Sequence, residues 1–157
     1  MWLGLGVAAL VAAADQLAKL WVLRFFAARA DGPPELTLAP FFNLVLTGNR
    51  GMSFGLFNTD AAANTAIFTA LAAIVVAWLV RWLRHAETPV LRVAIGLVIG
   101  GAFGNVTDRL LRGAVVDFLD FHLGDWHWFA FNLADAAICL GVAAMLLDSL
   151  LGGRRSA

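Results

Sequence analysis

Charge is scarce in this chain. Asp, Glu, Lys and Arg make up 14% of its 157 residues, against about 25% in a soluble domain. The hydrophobic share, 61%, is more than one soluble core can absorb, and it points to a protein embedded in lipid. Net charge is missing too, because 11 basic residues cancel 11 acidic ones. That removes the basic footprint of a nucleic-acid binder. Cysteine is nearly absent. Cys139 stands alone inside an apolar run, which excludes a disulfide framework and a thiolate metal site. It reads as a small buried hydrophobe. Ser53 and Ser149 have no His or Lys nearby in sequence, so a serine nucleophile has no activating partner. The first apolar run lacks a basic n-region and a small-residue cleavage site before a polar chain, so it reads as a retained span.

What is present is four apolar runs, at about 2–26, 61–83, 90–111 and 130–151. Each is long enough to cross a bilayer as a helix. Two excursions separate them, at 27–60 and 112–129. In the first, Asp31-Gly32-Pro33-Pro34 is turn chemistry, and Glu35–Ala39 and Phe41–Thr47 read as short strands around a bend at Pro40. The second holds Trp126, Trp128 and Phe129, aromatics suited to headgroup depth. The expected fold is mainly α. It is a four-helix transmembrane bundle in one integral membrane domain, 1–157, with a small extramembrane β-sheet on the side opposite the termini. Arginines are tied between the two sides: Arg81, Arg84, Arg92, Arg154 and Arg155 against Arg24, Arg29, Arg50, Arg109 and Arg112. Charge alone therefore does not orient the chain.

The rare ionisable groups sit where lipid makes them costly, and such groups mark sites or internal glue. Asp15 and Lys19 are one helical turn apart and can pair. Gly96, Gly100 and Gly104, with Gly101, give the small-residue spacing that admits another helix. Asn105, Asp108 and Arg109 then crowd one face of the last turns of that run. Asp117 and Asp135 lie at the ends of the third and fourth spans and converge if residues 118–130 turn back. Two converging carboxylates hold one proton between them. The ionised one can activate water, and the protonated one can polarise a carbonyl. That chemistry calls for no metal and no cofactor. Asp120, His122, Asp125 and His127 offer oxygen and imidazole donors, but their spacing matches no usual zinc motif. Two other classes compete: a small ion-coupled transporter with Asp15, Lys19, Asp108 and Arg109 as a relay, and a scaffold in which these residues only hold helices together. No inverted internal repeat of the transporter kind is present.

Five segments in order resemble the lipoprotein signal peptidase family, also called signal peptidase II. They are Asp15-Gln16 with Lys19; Asn49-Arg50-Gly51 with Phe54-Gly55; Gly100-Gly101-Ala102-Phe103-Gly104-Asn105 with Asp108-Arg109; Val115-Val116-Asp117-Phe118; and Phe131-Asn132-Leu133-Ala134-Asp135. The resemblance covers nearly the whole chain. It implies a membrane aspartyl endopeptidase with Asp117 and Asp135 as the catalytic pair. Asn49, Gly51, Asn105, Arg109 and Asn132 would hold substrate or support the pair, and Asp15, Lys19 and Asp108 would be supporting polar residues. The implied substrate is a prolipoprotein carrying diacylglycerol on its cysteine, cut just before that cysteine. The implied place is the bacterial inner membrane, with both termini cytoplasmic and the site facing outward. A monomer in contact with membrane lipid is expected, with no nucleic acid. Met52 and Ser53 stand in the 49–57 loop where many relatives have alanines.

Overall fold

The computed structural model describes residues 1–29, 31–49 and 61–152, with side chains given from Thr65 to Leu151 in the last stretch. Four helices carry the apolar runs: α1 (Trp2–Ala27), α2 (Ala61–Leu83), α3 (Pro89–Arg112) and α4 (Leu133–Gly152). All four are long and apolar enough to cross a membrane. A helix is what such runs must form there, because lipid offers the backbone no hydrogen-bond partner. The start of α3 is set locally. Thr88 Oγ1 accepts from Leu91 N at 3.0 Å, and Pro89 occupies the first helical position. The same hydroxyl donates to Asp148 Oδ1 at 3.0 Å, tying the α2–α3 turn to α4. The helix ends at Gly113 in the left-handed region, φ 75°.

The glycines of α3 decide what packs on it. A Cβ at Gly100 would lie 2.5 Å from the Ala8 carbonyl oxygen of α1, and one at Gly96 would strike the Gly4 carbonyl oxygen. A Cβ at Gly101 would strike the Ala134 carbonyl oxygen of α4. The third helix is therefore the centre of the bundle, with α1 and α4 at backbone distance. Below them Ala8, Leu79, Leu83, Ile95, Val98 and Ile99 form an apolar cluster.

The extramembrane part is one antiparallel sheet in the order β1 (Glu35–Ala39), β2 (Phe42–Asn49), β3 (Val115–Leu123), β4 (Trp126–His127). The first two strands fall where the sequence puts them, with Pro40 and Phe41 in the turn. The third was not expected. Val115, Val116, Asp117 and Phe118 are all buried, so β3 lacks the period-two alternation by which a half-exposed strand is read. It pairs with β2 through Thr47↔Asp117 and Asn43↔Asp120. Pairing of β2 with β3 puts both excursions at one end of the bundle. Leu44 and Phe118 pack on Val22 and Phe26, seating the sheet on the end of α1.

The chain then turns back at Gly124, φ 60°, and Phe131 bridges to Leu119. The fourth helix begins at Leu133 rather than near 130 because Phe131 is still hydrogen-bonded to β3. Cys139, expected to be buried, is exposed on the outer face of α4.

Candidate active site

Asp15 and Lys19 of α1 pair as their spacing implies. Lys19 Nζ lies 2.8 Å from Asp15 Oδ2, and both side chains are fully buried. The same ammonium lies 2.8 Å from Asp108 Oδ2 of α3 and donates to Asn105 Oδ1 at 3.1 Å. An isolated buried charge costs several kcal/mol or more. Here the charges neutralise one another, with Arg112 paired to the other oxygen of Asp108. Gln16 fills the gap, donating to Asp108 Oδ1 at 3.0 Å and accepting from Arg112 at 3.3 Å.

Asn105 carries this network to α4. Lysine can only donate, so the carboxamide oxygen of Asn105 must face Lys19. Its nitrogen then faces Asp135 and donates to Oδ1 at 2.7 Å. Asn132 is fully buried just ahead of α4. Its Oδ1 accepts from Asp135 N at 3.0 Å, while Asp135 Oδ2 accepts from Asn132 N at 3.3 Å. This reciprocal pair is a capping box. The Asn132 amide nitrogen is thereby free to donate to Asp117 Oδ1, at 2.6 Å, and to Asn105 Oδ1, at 3.3 Å. Asp117 and Asp135 thus come together on one residue, although 18 positions separate them in the chain.

Burial raises the Asp117 carboxyl to about 6 from its ordinary 3.8; the hydrogen bond from Asn49 opposes this, the charge of Asp135 adds to it, and Asn132 and Lys19 oppose it. A carboxyl raised in this way holds a proton closer to neutral pH than an ordinary one does.

Arg109 does not join Asp108. Its guanidinium lies 5.3 Å over the Phe68 ring of α2 and donates to the Asn105 carbonyl oxygen at 3.5 Å. Arg112 takes the place beside Asp108 instead. Asn49 ends β2 and hydrogen-bonds Asp117. Gly51 and the rest of the 50–57 loop lie outside the described residues. Asp120 is engaged elsewhere: its Oδ2 accepts from Asn43 at 3.1 Å and meets His127 Nδ1 at 2.8 Å, and His122 stacks on His127. Sequence reasoning placed Gln16 in a motif without giving it a role, and it left Arg112 out of the network. The Asp108–Arg112 spacing of one helical turn was the available signal for the second.

The family model described as signal peptidase (SPase) II matches residues 7–151. This chain belongs to the signal peptidase II family. It is accordingly an aspartic-type peptidase and a transmembrane protein. The "Lipoprotein signal peptidase" of Burkholderia vietnamiensis is 46% identical over 149 residues, covering 93% of this chain and 86% of the relative. That of Paraburkholderia phymatum is equally similar, at 46% over 149 residues. Among solved structures, a bacterial membrane enzyme superposes with a TM-score of 0.78 at 25% identity, covering 98% of this chain and 91% of its own. A second bacterial membrane enzyme gives 0.76 at 26% identity, covering 94% of this chain and 92% of its own. The family thus stands on sequence, and the fold is shared with solved bacterial membrane enzymes.

Proposed function

We propose that this signal peptidase II removes the signal peptide from diacylglyceryl-modified prolipoproteins, with Asp117 and Asp135 activating one water between them. The observation that carries the reading is Asn132, whose backbone and side chain hold both carboxylates. Asp135 is the base. It accepts from Asn105 and Asn132 and sits in the first turn of α4, where the helix dipole favours negative charge. Asp117 is the acid: burial raises its carboxyl to about 6, so it takes up a proton more readily than an ordinary carboxyl. Asp135 takes a proton from water, the hydroxide adds to the scissile carbonyl, and Asp117 protonates the carbonyl oxygen. Collapse of the tetrahedral species returns the hydroxyl proton to Asp117 as the C–N bond breaks, and Asp135 gives its proton to the leaving amine, so both carboxyls end as they began. Two carboxylates and water balance this reaction without a metal or cofactor.

Asn49 and Arg109 hold the substrate backbone, a role Gly51 shares by its place in the family motif, and the cut falls just before the lipid-bearing cysteine. The lipid anchor fixes that bond at headgroup depth. The aspartates fit that depth, at the sheet end of the helices, and the same sheet carries the exposed Trp126, with Trp128 and Phe129 just after it. The four helices span the bacterial inner membrane as one unit. The termini are cytoplasmic, the sheet faces outward, and the enzyme works as a monomer among lipids.

The test is processing of a diacylglyceryl prolipoprotein by purified enzyme. Asp117→Asn and Asp135→Asn should each lower kcat by about 10³-fold or more, and a chelator should leave the rate unchanged. Cleavage at wild-type rate by either variant would overturn the mechanism.

A further inference from the structure

We infer that Lys19 is a positioning residue for the catalytic pair: one buried ammonium, clamped between Asp15 and Asp108, ties together the two backbone segments that carry Asp117 and Asp135. The inference rests on the two-aspartate reading given above.

The geometry is symmetrical about Lys19. Asp15 Oδ1 accepts from the backbone N–H of Ala134 at 3.0 Å, and Ala134 immediately precedes Asp135. Asp108 Oδ2 accepts from the backbone N–H of Val116 at 3.0 Å, and Val116 immediately precedes Asp117. Lys19 Nζ is 2.8 Å from each of these carboxylates. An ammonium has three donors, and the third goes to Asn105, which orients Asn105 toward Asp135. All three donors are therefore committed to groups that hold an aspartate. None is left for substrate, so Lys19 is not a proton donor in the reaction.

Ordinary helix glue would not have this selectivity. Elsewhere the bundle is held by glycine contacts between backbones and by the Thr88–Asp148 hydrogen bond at the far end. The two N–H groups that reach Asp15 and Asp108 are each one residue from a catalytic side chain. Gly104 gives the seat for Asp15, since a Cβ there would lie 2.6 Å from its Oδ2.

Charge makes the role testable. Among the described residues, Lys19 of α1, Arg109 of α3 and Asp135 of α4 are the charged groups that act on Asp117. The amides of Asn49 and Asn132 hydrogen-bond it. Asp15, Asp108 and Arg112 act through Lys19 by pairing with it or with one another. The ammonium favours ionised Asp117, so its removal should make that carboxyl harder to ionise. The alkaline limb of kcat/KM should then move to higher pH.

Lys19→Met alone leaves an unbalanced buried carboxylate and can fail to fold. The informative variant is Asp15→Asn/Lys19→Met. It keeps an oxygen for Ala134 N, keeps Asp108 paired with Arg112, and removes one charge of each sign. Rates are measured per folded enzyme on a diacylglyceryl prolipoprotein, with Asp117→Asn and Asp135→Asn alongside. The expected result is a kcat about 100-fold below wild type, KM unchanged, and an alkaline limb displaced upward. Wild-type kcat and an unmoved limb, with both single aspartate variants dead, would overturn the role of Lys19 alone. Wild-type cleavage by the aspartate variants would instead overturn the catalytic reading, and the positioning role with it.

Discussion

The second and third helices are similar in length and apolar character, yet they are held in opposite ways. Half of the α3 span is buried inside the protein, against 11% of the α2 span. The third helix faces α1 and α4 with glycines and ends in Asn105 and Asp108, both buried. The second packs mainly on α3, and much of the apolar surface it leaves uncovered is aliphatic, as at Ile67, Leu71 and Ile74. Between them lies an open groove of about 620 Å³ lined by Thr65, Ala66, Thr69, Ala70, Leu110 and Gly113. In lipid, apolar surface alone gives helices no reason to associate. Close backbone approach and paired polar groups supply that reason; here they coincide with the chemistry on α3 and are nearly absent from the described residues of α2.

Substitutions on the two helices should therefore differ by orders of magnitude. The largest effect is expected at Gly101→Ala, whose methyl would strike the Ala134 carbonyl oxygen beside Asp135. Cleavage should fall about 100-fold, with stability lower by about 1–3 kcal/mol, read by thermal melting in detergent. Gly104→Ala pushes on the Asp15 carboxylate instead of a backbone and should cost about 10-fold in kcat with little change in melting. Next comes pH. Because Asp117 must be protonated and its carboxyl sits at about 6, kcat/KM should fall as pH rises through that value. A profile flat from pH 5 to 8 would count against Asp117 as the acid. The smallest effect belongs to α2. The hydroxyl oxygen of Thr69 is buried with no partner among the described residues, so Thr69→Val should stay within about 0.5 kcal/mol of wild type or exceed it, with activity unchanged. A large loss there would show that α2 is more than a flank.

Much of this contrast was legible before any coordinates. The four apolar runs gave the helices within a few residues. The glycine spacing on α3 gave its central place, and the Asp15–Lys19 spacing gave their pairing. Legibility failed where burial erased pattern. Val115 to Phe118 are covered on both faces, so β3 left no alternation to read. It failed again where a side chain chose between partners: Arg109 was grouped with Asp108, but it reaches for Phe68 while Arg112 takes the carboxylate. Sequence spacing tells which groups share a helix face, not which of two arginines wins. The links from Lys19 to the backbone of Val116 and Ala134 pass through the preceding residue of each aspartate, and no side-chain motif encodes them.

The capping box at the start of α4 has a practical consequence for capturing the enzyme with its substrate still whole. Asp135 is both a reacting group and the residue that closes the first turn of its helix. Asp117 caps no helix, and its strand is held by pairing with β2 and by the bridge to Phe131. An inert protein made by Asp117→Asn should therefore keep its native shape around an uncut peptide. One made by Asp135→Asn trades away part of its own scaffold, and is the poorer decoy.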